Sequence, residues 1–147
     1  MSSRQPRYVI YVSPYEWGIV EPIKTVADYM RKRLGDRIGE VSDHHIARIF
    51  PIIEEFVQGS KMKVGAMAEI LRDLERHFGF SNDEEREEVN IAVARLLDRI
   101  DIMKRREPVR VFKLVRNLRT LLIGLVRGRI TLPIRPYEKQ SEKEVRT

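Results

Sequence analysis

Between Pro108 and Tyr137 the chain carries seven cations, Arg110, Lys113, Arg116, Arg119, Arg127, Arg129 and Arg135, and no Asp or Glu. Interleaved with them are Val111, Phe112, Leu114, Val115, Leu118, Leu121, Leu122, Ile123, Leu125 and Val126. The chemistry such a set can do is recognition of a polyanion. Arg forks bidentately onto phosphate, and phosphate contacts from Lys and Arg release condensed counterions. A merely solvated helix face would mix the two charge signs. The expected element buries one side in protein and turns the other to the anion. Arg110, Lys113, Arg116 and Arg119 step by three, so each falls about 60° short of a full turn of an α-helix. They therefore wind around the helix, and some are expected to meet protein, such as the acidic start of the preceding helix in the same or a neighbouring subunit.

Two further basic groups belong to the candidate nucleic-acid-binding set, Arg4 with Arg7 near the N-terminus and the triplet Arg31, Lys32 and Arg33. The triplet also has a plainer reading, because cations in a last helical turn complement the helix dipole. Residues 1–39 carry a net charge of +3, residues 40–101 carry −6 and residues 102–147 carry +9, for a total of +6. Such asymmetry points to one anion-facing surface. Tyr8, Tyr11, Tyr15 and Trp17, with Ile130 and Leu132 in the tail, are candidate subunit-interface residues, since an apolar arm must dock either on its own domain or on a neighbour.

Other chemistries lack their residues. The chain has no Cys, which excludes disulfides, thiolate metal sites and cysteine nucleophiles. No Gly-rich phosphate loop is present. His44, His45 and His77 accompany no nucleophile motif. His44 and His45 are neighbours and so point to different sides of a helix, which disfavours shared metal ligation. The acids Asp83, Glu84, Glu85, Glu87 and Glu88 crowd a helix start, where the dipole favours them. Neither a catalytic residue nor a metal, cofactor or small-molecule substrate is expected, and the chain does not read as an enzyme.

The elements that must position these residues are helical. The expected fold is all-α, a four- to five-helix bundle over residues 22–127, with an extended N-terminal arm over 1–21 and an extended C-terminal tail over 128–147. Pro22 suits a first helical turn and Gly35 a stop, which predicts a helix over 22–34 with Ile23, Val26, Ala27, Met30 and Leu34 inward. A second helix is expected from Ser42 to before Gly59, with a kink or break at Pro51. A third spans 61–78, with Val64, Met67, Ile70, Leu71, Leu74 and Phe78 inward. A fourth opens on Ser81 to Glu84, read as a capping box, and closes near Met103 on Lys104, Arg105 and Arg106. Val89, Ala92, Val93, Leu96, Leu97 and Ile100 form its core stripe. The fifth runs from Val109 to about Val126, with Gly124 and Gly128 weakening its end. No apolar run reaches the roughly 18 residues of a membrane span. With no signal-peptide order at the N-terminus, a soluble intracellular protein is expected.

The charged, Cys-free composition, with 20 Arg, 8 Lys and six amides, leans toward a hyperthermophilic source. It accompanies an aromatic, basic N-terminal arm and four or five helices without a catalytic motif. Together they resemble the major capsid proteins of filamentous viruses of hyperthermophilic archaea. The resemblance implies a structural protein in a virion. It would assemble as a homo-oligomer, or a hetero-oligomer with a related capsid protein, around double-stranded DNA. Two alternatives stay open. One is a small dimeric DNA-binding regulator, although the tight junction Phe78-Gly79-Phe80-Ser81 leads into acids that a major groove would repel and Asn117 is nearly the sole base-reading amide of the final helix. The other is a helical interaction module with an acidic partner protein.

Overall fold

Apolar residues recurring at three and four positions build six α-helices among the described residues, which are 8–9 and 14–132 of this computed structural model. The fold is all-α. Helix α1 (Pro14–Leu34) is followed by a 3₁₀ turn (Gly35–Gly39), α2 (Asp43–Ile46), α3 (Phe50–Gln58), α4 (Lys63–His77), α5 (Asp83–Arg106) and α6 (Pro108–Val126). Two short strands, β1 (Tyr8–Val9) and β2 (Ile130–Thr131), pair in parallel, with Tyr8 opposite Ile130. The core is continuous and draws on every helix, and among the described residues no polar or charged residue is buried. Each fully buried Leu or Ile contributes about 1.5–3 kcal/mol of transfer free energy.

Several expected boundaries move. Helix α1 starts at Pro14, so the arm expected to be extended over 1–21 is helical from that residue, and Pro22 lies inside the helix. An internal proline forfeits one backbone hydrogen bond. Burial of Val20 and Pro22 and the packing of Trp17 and Ile19 against the core offset that loss. The break near Pro51 occurs, since α2 ends at Ile46 and α3 takes Pro51 in its first turn, where a missing N–H costs nothing. Val64, expected inward, is 81% exposed, and Ala66 with Ile70 and Leu74 forms the buried side of α4. The N-cap of α5 is Asn82 rather than Ser81. Asn82 Oδ1 accepts from the Glu85 N–H at 2.8 Å, and Glu85 Oε1 accepts from the Ser81 N–H at 2.7 Å. Burial pushes the Glu85 carboxyl up, but the bonds from the Ser81 backbone and hydroxyl outweigh it, and with Arg33 nearby they hold it below its ordinary range.

Tyr29 ties α1 to the α4–α5 turn. Its buried hydroxyl donates to the Gly79 carbonyl at 2.6 Å, and its ring stacks on Phe80 at 5.2 Å. Burial, first of all, drives its pKa far upward.

The end of α6 is held from three sides. The Arg31 guanidinium donates to the Val126 carbonyl at 3.0 Å. Arg127 donates to the carbonyls of Ile38 at 2.6 Å and Val41 at 2.8 Å and pairs with Asp43 at 2.8 Å. Gly128, at φ +76°, adopts the left-handed conformation that lets the Arg129 N–H reach the Gly124 carbonyl at 2.9 Å. Gly124 belongs to the helix body: a Cβ there would meet Ile130 Cδ1 at 2.3 Å, so the bare backbone is the seat on which β2 packs.

Two stability outcomes follow. Replacing Tyr29 with Phe leaves the Gly79 carbonyl without this donor and should cost about 1–2 kcal/mol in chemical denaturation. Gly124→Ala, although it raises helix propensity, should lower the melting temperature because overpacking costs about 1–3 kcal/mol. An unchanged or raised melting temperature would mean that Ile130 does not pack on Gly124.

Candidate nucleic-acid interface

The turn from α5 to α6 shapes a groove on the surface. Glu107 precedes Pro108 and is held out of the helical region (φ −140°, ψ 70°) by the proline ring, so the two helices part there. The first turns of α1 form a third wall. The resulting groove, about 700 Å³, is floored by Ile19, Ile102, Met103 and Leu114 and edged by Arg99, Arg106, Arg110, Lys113 and Asn117, with Glu16 and Glu107 as its acids. Arg110 pairs with Glu107 at 2.8 Å on the exposed rim. Arg99 crosses α1 at Gly18, where a Cβ would meet its guanidinium carbon at 2.7 Å.

The four cations that step by three along α6 divide as their winding requires. Arg110, Lys113 and Arg116 are exposed and Arg119 is half-buried. Arg110 and Lys113 edge the groove. Arg116 lies on the opposite flank, beside a smaller hollow of about 280 Å³ shared with Glu54, Val57, Gln58, Phe112 and Val115. The basic triplet of α1 lies at the other end of α6 and does not join them. Arg31 is occupied by the α6 terminus, Arg33 approaches Glu85 at 3.8 Å, and Lys32 is exposed. Arg4 and Arg7 lie outside the described residues.

Of the candidate interface residues, Trp17 and Ile130 are half-buried against the chain's own core and Leu132 is buried in it. Tyr8 enters β1 and Tyr15 the first turn of α1. Tyr11 lies outside the described residues.

No family model, curated protein or solved structure matches this chain. The site therefore has to be read from its own geometry. Among the described residues there is no cluster of His, Cys, Asp and Glu able to hold a metal ion, and no helix long and apolar enough to cross a membrane.

Sequence reasoning missed two arrangements. Arg99 and Arg106 stand seven residues apart on α5, a spacing that puts them on one face, yet each looks locally like an ordinary surface cation. The second is a cluster joining α2 to α4. Arg48 donates to Asp73 Oδ2 at 2.8 Å and approaches His77 Nε2 at 2.6 Å and His45 Nδ1 at 3.4 Å. The rings of His45 and His77 meet edge to face at 5.7 Å. This contact ties together two histidines that sit 32 positions apart, which no local spacing announces.

Burial, with Arg48 and His77 close by, lowers the pKa of His45 below its ordinary 6.5. The fold thus favours neutral His45. Its contribution is complete above about pH 6.5, and it is lost as pH falls below that value toward the depressed folded pKa. Calorimetry should show a melting temperature that declines from pH 7 to pH 5, with a shallower decline in His45→Gln. Identical slopes in the two proteins would show that His45 does not report on this contact.

Proposed function

We propose that this protein is a structural nucleic-acid-coating subunit, a viral capsid-type protein that binds the backbone of double-stranded DNA without reading sequence and assembles along it in the virion. The observation that carries the reading is the outward side of α6. Arg110, Lys113, Arg116, Asn117 and Thr120 are exposed along it, and the helix contains no acid. Glu107, just before the helix, pairs with Arg110, and no acid follows it within α6. Arg99 and Arg106 extend the positive potential across the groove.

The alternative of a helix-turn-helix reader gains nothing from the geometry. The helix after the tight α4–α5 turn presents exposed Asp83, Glu84, Glu87 and Glu88. Those charges would be repelled from a major groove lined by phosphates. Phosphate contacts position a protein on the duplex, whereas base-edge contacts specify sequence. An α6 surface of guanidinium and ammonium groups with one Asn offers mostly the former.

Binding should weaken steeply with salt. Replacing Arg110, Lys113 and Arg116 together with Gln should reduce the slope of log K against log salt by roughly three. Arg31→Gln should leave that slope unchanged and lower the melting temperature, because Arg31 is spent on the end of α6. Electron microscopy of the protein with linear duplex should show uniform filaments. Discrete particles with a sequence-specific footprint would overturn the coating reading, and an unaltered salt slope in the triple variant would remove α6 from the interface.

A further inference from the structure

The groove walled by α1, α5 and α6 joins two kinds of surface that a phosphate backbone does not use together. Its floor of Ile19, Ile102, Met103 and Leu114 is apolar and partly open, with Ile102 38% exposed. Its edges set the four cations Arg99, Arg106, Arg110 and Lys113 against Glu16 and Glu107. Glu107 pairs with Arg110, whereas Arg99, Arg106 and Lys113 take part in no ion pair among the described residues. Phosphate alone would satisfy these cations and gain nothing from the floor.

Arg99 owes its place at the wall to a missing side chain. Gly18 lies inside α1, where glycine is an unfavourable helix residue. A Cβ there would stand 2.7 Å from the Arg99 guanidinium carbon and 2.9 Å from its Nε. The bare backbone therefore seats the guanidinium against α1, beside the groove, with no carboxylate upon it.

We infer that the groove binds a single-chain amphipathic anion, an alkyl chain that ends in a carboxylate or an equivalent anionic head. The head lies on Arg99, whose planar fork matches a carboxylate bidentately. The chain covers Ile19, Ile102, Met103 and Leu114, and its burial there supplies the apolar part of the affinity. Arg106 and Lys113 keep the surrounding potential positive, which selects an anionic head over a cationic one. The groove volume of about 700 Å³ falls within the range of small-molecule sites, about 300–1,000 Å³. Neither Arg99 nor the apolar floor belongs to the outer side of α6. Failure of this inference would leave backbone binding by α6 standing, and the reverse holds as well.

The test titrates the full chain, free of nucleic acid, with dodecanoate below its micelle concentration and follows binding by calorimetry. One dodecanoate should bind per chain. Butyrate keeps the head and loses most of the chain, and dodecyltrimethylammonium keeps the chain and reverses the charge. Each should bind at least about tenfold more weakly than dodecanoate. Arg99→Gln and Ile102→Asn, both at exposed positions, should each weaken dodecanoate about tenfold, with circular dichroism confirming the fold. Gly18→Ala separates the site from stability. It should keep or raise the melting temperature, because Ala is the better helix former, while it displaces Arg99 and weakens dodecanoate about as much as Arg99→Gln does. Absence of binding, equal binding of butyrate or of the cationic amphiphile, or wild-type affinity in any of the three variants would each overturn the inference.

Discussion

Burial of one stripe of α6 governs how the rest of the molecule is arranged. Val111, Val115, Leu118, Leu122 and Val126 are all buried, and their spacing leaves a single orientation in which the helix can lie against the core. Once that orientation is set, the destination of every cation on the helix follows. Arg110, Lys113 and Arg116 are carried outward, and Arg119 stays half-buried at the edge of the contact. The electrostatic surface is thus a by-product of apolar packing. No cation needs to be drawn outward by an anion for the surface to exist.

The same helix shows why counting cations overstates a binding surface. Arg31 and Arg127 both donate to backbone carbonyls near helix ends, and Lys104 donates to the Phe56 carbonyl on α3, which also accepts from the Gly59 N–H. An Arg with five donors can satisfy the open carbonyls of a helix end while keeping its charge partly hydrated. In a chain with 20 Arg, part of that inventory is scaffolding.

The all-α class, most of the apolar stripes and the break at Pro51 were legible in the sequence because each is a local pattern with a local cause. Ile23, Val26, Ala27, Met30 and Leu34 are all buried, as are Val89, Ala92, Val93, Leu96, Leu97 and Ile100. What was not legible depended on distant partners. Pro22 reads locally as a helix start, and packing of Trp17, Ile19 and Val20 on the core carries the helix back to Pro14. Ser81 and Asn82 are each acceptable N-caps, and the approach of Arg33 to Glu85 from another helix belongs with the Asn82 register. Gly124 reads as a weak helix end until Ile130 is placed on it. The groove of Arg99, Arg106, Arg110 and Lys113 exists only where three helices meet, so no segment of the chain contains it.

The parallel pair β1–β2 joins residues roughly 120 positions apart in the chain. Closing a loop of that length has an entropic cost that two strand residues cannot cover alone. The pairing can form only after α1 and α6 have packed and brought Pro14 and Val126 within reach. The two-residue clip is then a late event in folding and an early one in unfolding. Its amide hydrogens would exchange through local opening long before those of the α1–α5 core. In kinetic terms the clip acts as a latch, closed by the bundle and reporting whether the bundle has formed.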